Sequence, residues 1–390
     1  MKKVLIIHPD MELGGAETSL IGLLGALRER GCEVDLFLYR QSGELLKSIP
    51  EGVALLNEKR QYRALNVSIK EALGLCFPIA CVRLAVKLWT NIYRKKCDRT
   101  YWVKQLVHKH SLLFLPRFEG DYDVCLSFID PHYIACRKVN AARTFGWLHT
   151  DFSRIGCKGE RDKQMWDMLD VIVNVSESCK KAFDAVYPSL REKSYVIENI
   201  LSERLVRERA GANIGCEMDK GAAKLLSIGR FCEAKNFDNV PDICMKIRRA
   251  GIDCVWYLIG YGGGEALIRE KIKQAGAEDC VVLLGKKENP YAYIVRCDVY
   301  VQPSRYEGKS VTVREAQMLG KCPVITKYPT SAAQLTDGFD GYIVPMDNDG
   351  CADGIVKLIN DTEKIRRAEN NCRAGDYSNA QQADKITGVI

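Results

Sequence analysis

The chain has 390 residues, 47% hydrophobic and 27% charged, with a formal net charge of +7. That balance excludes a disordered chain, and no run of about 18 uncharged apolar residues marks a spanning helix. Seventeen cysteines occur singly and never as C-x-x-C, which reads as reduced thiols in a cytosolic protein rather than a secreted disulfide framework.

In chain order, "MKKVLIIHPD" opens the sequence. Its apolar run stops after four residues, so 4–7 reads as a first strand and not as a signal peptide. "GGAETSL" follows, with Gly14 and Gly15 at a strand-to-helix turn where backbone amides and a helix N-terminus suit an anion; a tight turn alone explains the same glycines. A helix over 16–30 leads to strands at 34–39, 123–128, 144–149 and 171–175. Several are continuous apolar runs, as in parallel strands buried on both faces.

Between Arg83 and Lys109 eight basic residues stand against one acid, Asp98. From Ile79 to Tyr93 the helical period places Ile79, Val82, Val86, Trp89 and Tyr93 on one apolar face beside Arg83, Lys87 and Arg94. Segment 79–110 therefore reads as a helix on an anionic bilayer surface, or equally as a core helix with one solvated face. Aromatics at Trp89, Tyr93, Tyr101 and Trp102 do not make it a nucleic-acid module, and none is expected elsewhere. His149 ends its strand, where a ligand of a doubly wound sheet would be met; a structural histidine is the plainer alternative.

After "SYVIENI" (194–200) the pattern restarts. Residues 201–222 read as a linker or short connecting helix, and strands follow at 224–229, 255–260, 281–285, 299–304, 323–326 and 341–345. Helices fall at 237–250, 265–275 and 311–319. The expected architecture is α/β: two facing Rossmann-like domains, 1–200 and 223–375, each a doubly wound parallel sheet, with a central cleft and a tail, 376–390, crossing back to the first. "GRFCEAKNFD" puts Arg230 after a strand and Lys235 near the next helix start, a diphosphate clamp or a pair of solvated cations. "GYGGGEALI" supplies Gly260 and Gly262 at another such turn. In "RYEGKSVTVREAQMLGK", Ser310 is expected to cap a helix. Glu307 and the amides of Gly308, Lys309, Ser310 and Val311 would precede it, with Glu315 inside it. Sugar hydroxyls and a ribose diol suit such carboxylates, and so does plain solvent. The D-x-D tripeptides at 121–123 and 347–349 do not follow strands, so no metal site is expected.

The ordered set "GGAE", Gly229-Arg230 with Lys235-Asn236, the glycine loop, the Glu307/Glu315 pair and "DGYIVP" (340–345) resembles the retaining nucleotide-sugar-dependent glycosyltransferases of the GT4 group with the GT-B fold. The wording resembles members that build bacterial capsular or other cell-surface polysaccharides. The resemblance implies that Arg230 and Lys235 hold the donor diphosphate, Glu315 the ribose, and Glu307 with the loop amides the donor sugar. It gives Gly14 and Gly15 a place near the phosphates and His149 a contact with the transferred sugar. It implies a UDP- or GDP-linked donor as substrate, no cofactor, no bound metal, a polyprenyl-linked or oligosaccharide acceptor, and a cytoplasmic enzyme peripheral at the inner face of the membrane. The alternatives are a nucleotide-sugar epimerase of the same fold and a non-catalytic nucleotide-sugar-binding protein. Lys309 and Gln334 depart from the family pattern, the latter standing where many members carry a glutamate.

Overall fold

The computed structural model describes the chain except residues 13, 94–97, 150–151, 153–159, 216, 220–222, 308 and 389–390. It divides into two compact units: unit 1, Met1–Ser202 with Asn379–Ile390, and unit 2, Glu203–Ser378.

Unit 1 holds seven strands: β1 (Lys3–His8), β2 (Glu33–Leu38), β3 (Val53–Leu55), β4 (Asp121–Ser127), β5 (Asn140–Leu148), β6 (Val171–Asn174) and β7 (Ser194–Val196). They form one parallel sheet in the order β3-β2-β1-β4-β5-β6-β7. β1 is central, with Val4, Leu5, Ile6 and Ile7 all buried. That is why its sequence is an unbroken apolar run rather than an alternating one. β3 is absent from the sequence reading: it is three residues long, sits at the sheet edge and is half exposed.

Helix Gly15–Glu29 packs Leu20, Leu23, Leu24 and Leu27 inward. It comes so close to residue 200 that a Cβ at Gly22 would lie 2.3 Å from the Ile200 carbonyl oxygen, so glycine is required there. The last segment of the chain also belongs to unit 1. Asn379 donates to Glu198 (2.7 Å) and Lys385 to the Val196 carbonyl (2.8 Å), while Arg30 binds Asp384.

The basic segment forms two helices, Phe77–Ile92 and Arg99–Ser111; Arg94, Lys95 and Lys96 lie outside the described residues. The apolar face expected from periodicity is split. Ile79 and Val86 are buried, Ile79 in a cluster with Phe37, Tyr62 and Phe118, whereas Trp89 and Tyr93 are exposed beside Trp102. A second apolar face, Phe77, Leu84, Leu88 and Ile92, points away from that core.

Unit 2 begins with helix Glu203–Ala210, whose Leu205 and Val206 are buried. Its strands are β8 (Ala223–Ile228), β9 (Cys254–Ile259), β10 (Val281–Gly285), β11 (Val299–Gln302), β12 (Pro323–Thr326) and β13 (Tyr342–Val344). The order β10-β9-β8-β11-β12-β13 is again wholly parallel. In both sheets the order reverses beside the first strand, at β1/β4 and at β8/β11. Ligands of open α/β sheets bind beyond the strands' carboxyl ends at such a switch.

Candidate functional site

In unit 2 the loops after β8, β9 and β11 converge at the switch. β8 ends at Ile228; Gly229 and the exposed Arg230 follow. A short 3-10 turn, Glu233–Lys235, is stopped by Asn236 in the left-handed region (φ 59°). Asparagine tolerates that conformation better than most residues. The turn aims Lys235 back along the strand end, where a Cβ at Gly229 would lie 3.0 Å from the lysine Cε.

The lysine Nζ donates to Glu307 Oε1 at 2.5 Å. Glu307 is oriented in turn by a buried relay running out of β11. Tyr300 OH donates to Gln302 Oε1 (2.8 Å), Gln302 Nε2 to Ser304 Oγ (3.0 Å), and Ser304 Oγ to Glu307 Oε1 (2.7 Å). Such chains reinforce each bond and fix the carboxylate's direction. Arg305 ties the two loops together. Its fork grips Asp238 (2.9 and 2.7 Å) and also donates to the Glu233 carbonyl.

The glycine loop serves this junction. Gly260 has φ 157° and Gly262 φ 147°. A Cβ on Gly260 would sit 1.9 Å from the Gly229 oxygen, and one on Gly262 2.7 Å from the Phe231 oxygen. Phe231 N–H donates to the Tyr261 carbonyl and Gly264 N–H to that of Phe231. These glycines let the loop after β9 lie against the backbone that carries Arg230.

Helix Val311–Met318 starts at Ser310, whose side chain makes no cap bond, contrary to expectation. The cap is supplied from outside. Gln334 accepts from the Ser310 amide (2.6 Å) and donates to the Ser310 carbonyl (3.2 Å). The Ser310 amide, expected to face a ligand, is thus occupied by Gln334. Lys309 is half-buried, and Gly308 lies outside the described residues.

Inside the helix Glu315 is buried and accepts a hydrogen bond from Tyr291 OH (3.0 Å). Burial raises its pKa to about 7, against the opposing pull of Tyr291 and Arg314. Arg314, also buried, donates to the carbonyls of Tyr377 and Ser378. None of Ser304, Tyr291 and Arg314 is assigned a role by the sequence reading. Tyr291 and Arg314 act through partners that folding brings near, and no spacing announces them; Ser304 lies three residues from Glu307, but a serine in a loop carries no signal of its own.

In unit 1 the carboxyl ends of β1, β4 and β5 bring His8, Phe128 and His149 together, Phe128 lying between the two rings. His149 is half-buried, with Nε2 donating to the Phe128 carbonyl (2.9 Å). His8 is buried, with Nδ1 donating to the Asp10 carbonyl (2.6 Å). Burial lowers both pKa values to about 4, so both rings are neutral at pH 7. His8 also ends a strand, and the positional argument that singles out His149 reaches it too. Gly14 precedes helix Gly15–Glu29, and a Cβ there would collide with the Glu17 carboxylate, whereas one on Gly15 would meet nothing within 4 Å.

The D-x-D segments are structural. Asp121 and Asp123 begin β4 and accept from Asn140 and from the Lys3 amide. Asp347 caps helix Asn348–Ile359, and Asp349 pairs with Lys246. Among the described residues no group of three or more His, Cys, Asp or Glu could hold a metal ion.

Residues 217–375 match the family described as Glycosyl transferases group 1. A Campylobacter jejuni N-acetylgalactosamine-N,N'-diacetylbacillosaminyl-diphospho-undecaprenol 4-alpha-N-acetylgalactosaminyltransferase is 28% identical over 148 residues, 38% of this chain and 40% of that protein. The amylovoran biosynthesis glycosyltransferase AmsK of Erwinia amylovora is 28% identical over 145 residues, 35% of each chain. The chain thus spans well under half the length of these curated relatives. Over their whole lengths two solved structures resemble it. Anabaena HepE in complex with UDP and glucose has TM-score 0.60 and 16% identity, covering 100% of this chain and 99% of its own. TarM has TM-score 0.66 and 14% identity, covering 100% and 98%. The chain has the GT-B fold, and its second unit carries the match to the group 1 glycosyl transferases.

Proposed function

We propose that the chain moves a sugar, with retention, from a UDP- or GDP-linked donor to an acceptor hydroxyl. No cofactor or bound metal takes part, and the setting is cell-surface polysaccharide assembly on a lipid-linked acceptor at the cytoplasmic face of the membrane. The observation that carries this reading is the placement of Arg230 and the Lys235–Glu307 pair on the loops that follow β8 and β11, with buried Glu315 on the next helix, within the stretch that matches the group 1 family. The relatives add support: the Campylobacter jejuni enzyme acts on a diphospho-undecaprenol-linked saccharide, and HepE binds UDP and glucose.

In this reading Arg230 and Lys235 lie where charge develops on the leaving phosphate, and catalysis rests on positioning and electrostatics. Glu307, held by Lys235 and Ser304, orients the donor sugar with help from the backbone at Gly308, Lys309 and Val311. Glu315 takes the ribose diol, and Gly260 and Gly262 shape the adjoining wall. Gly14, Gly15 and His149 are proposed donor contacts of unit 1. The acceptor oxygen attacks on the side from which the phosphate departs, and a departing phosphate oxygen takes its proton.

Nucleotide binding raises apparent stability by about 2.7 kcal/mol at a hundredfold excess over Kd. UDP or GDP is therefore expected to raise the melting temperature of the wild type. Arg230→Ala and Lys235→Ala should lose most of that shift and roughly 10²–10³ in turnover while staying folded. No shift with any nucleoside diphosphate, or two variants of normal activity, would refute the assignment.

A further inference from the structure

We infer that Glu17, on the first turn of helix Gly15–Glu29, is a positioning residue that shares one proton with His8, and that this proton decides how readily a donor phosphate is met at the start of that helix. The link to the donor rests on the proposed contact of Gly14 and Gly15; the shared proton does not.

His8 is 1% exposed. Its Nδ1 donates to the Asp10 carbonyl (2.6 Å), so in the neutral ring Nε2 carries a lone pair and no hydrogen. Nε2 has no hydrogen-bond partner among the described residues, and Glu17 Oε1 faces it at 3.7 Å. Two acceptors turned toward each other away from water are unfavourable unless a proton lies between them. A carboxylic acid supplies it: its O–H donates to Nε2, and its second oxygen remains an acceptor.

The carboxyl is held in place. A Cβ on Gly14 would stand 2.1 Å from Glu17 Oε2. Gly14 has an extended backbone (φ −163°), so glycine is needed there for the room the carboxyl takes. A glutamate at this third helical position ordinarily serves as a cap, and glutamine serves as well. A cap has no need of His8.

The surroundings keep the proton on the carboxyl. Burial raises the pKa of Glu17, Asp10 and Glu12 in the preceding loop add to the rise, and the Glu17 amide opposes them. Arg40 pairs with Glu12 (3.1 Å), and Asn66 donates to Asp10 (2.7 Å). Burial lowers His8 to about 4, and His149, at the end of β5, disfavours charge on it further. With the proton the couple is neutral. Without it a negative charge stands at the start of the helix and repels an arriving phosphate.

Two measurements on the full chain test this. In protein carrying isotopically labelled histidine, NMR follows the His8 ring from pH 5 to pH 8.5. Its Nε2 signal should move in one step as Glu17 gives up its proton and the ring stays neutral. Glu17→Gln, whose amide donates to Nε2 at every pH, should remove the step while preserving the cap. UDP is then titrated by calorimetry at pH 5 and pH 8.5. Over that interval the wild type should weaken roughly tenfold more than Glu17→Gln; the ionisations of UDP and of Glu315 are common to both proteins and cancel. No step, the same step in both proteins, or an equal pH dependence of UDP affinity overturns the inference. A protein that shows the step but binds no nucleoside diphosphate keeps the shared proton and loses the proposed donor site.

Discussion

Glu315 holds a carboxyl group inside the protein with one hydroxyl, that of Tyr291, as its hydrogen-bond donor. Its folded pKa of about 7 exceeds the ordinary 4.5 because burial penalises the charge. The folded protein therefore binds more protons here than the unfolded chain between pH 4.5 and 7. Stability from this group is present below 4.5 and lost as pH rises through 7, with a cost of about 3 kcal/mol at pH 8. Glu315→Gln removes that cost. It should stabilise the protein at pH 8 by up to about 3 kcal/mol, with little effect at pH 5, while weakening UDP binding. Denaturant titrations at both pH values check this, and a variant less stable at pH 8 contradicts it. Such a trade between stability and a ligand site is common. Glu315, Glu307 and Lys235 are legible in the sequence because chemistry and spacing mark them. The partnerships of Tyr291 and Gln334 are not, since each meets its partner 24 positions away in the chain.

At the scale of elements, buried parallel strands write themselves into the sequence as apolar runs, and every strand but the three-residue edge strands β3 and β7 is readable from them. Helix Phe77–Ile92 is also readable as a helix, but not in its orientation. It is apolar on two sides, and periodicity cannot say which side meets the core. The core takes Ile79, Ala80 and Val86, leaving Phe77 (65% exposed), Leu84 (49%), Leu88 (56%) and Ile92 (75%) on the opposite side. Their spacing keeps them on one stripe, and Lys87 flanks it. Arg94, Lys95 and Lys96 follow in the sequence. If this segment rests on a bilayer, these side chains enter it, each contributing at most about 1.5–3 kcal/mol, and the cations favour anionic lipid. Flotation with vesicles of 30% phosphatidylglycerol in phosphatidylcholine should recover the wild type and leave Leu84→Glu/Leu88→Glu behind, with an unchanged melting temperature. Equal recovery of both proteins, or none of the wild type, removes the membrane from the proposed function.

Across the whole molecule the two units carry opposite responses to acid. All five histidines belong to unit 1 and none to unit 2. Burial lowers His8 and His149 to about 4, and His108 and His132 to about 3, from an ordinary 6.5. The unfolded chain thus binds more protons than unit 1 does as pH falls below 6.5. The stability of unit 1 is fully present above that value and lost toward pH 4, by about 2 kcal/mol at pH 5 for each fully buried ring. Glu17 and Asp130, raised by burial, offset part of the loss. Unit 2 moves the other way, because Glu315 regains its proton over the same interval. Calorimetry should therefore show two transitions drawing apart between pH 8 and pH 5, the lower belonging to unit 1. Fluorescence can assign them, since Trp89, Trp102, Trp147 and Trp166 lie in unit 1 and Trp256 is the sole tryptophan of unit 2. In Trp256→Phe the remaining signal follows unit 1 alone, and its midpoint should fall by several degrees on acidification. A midpoint that holds or rises would mean that the buried rings take up protons without disturbing the sheet around them.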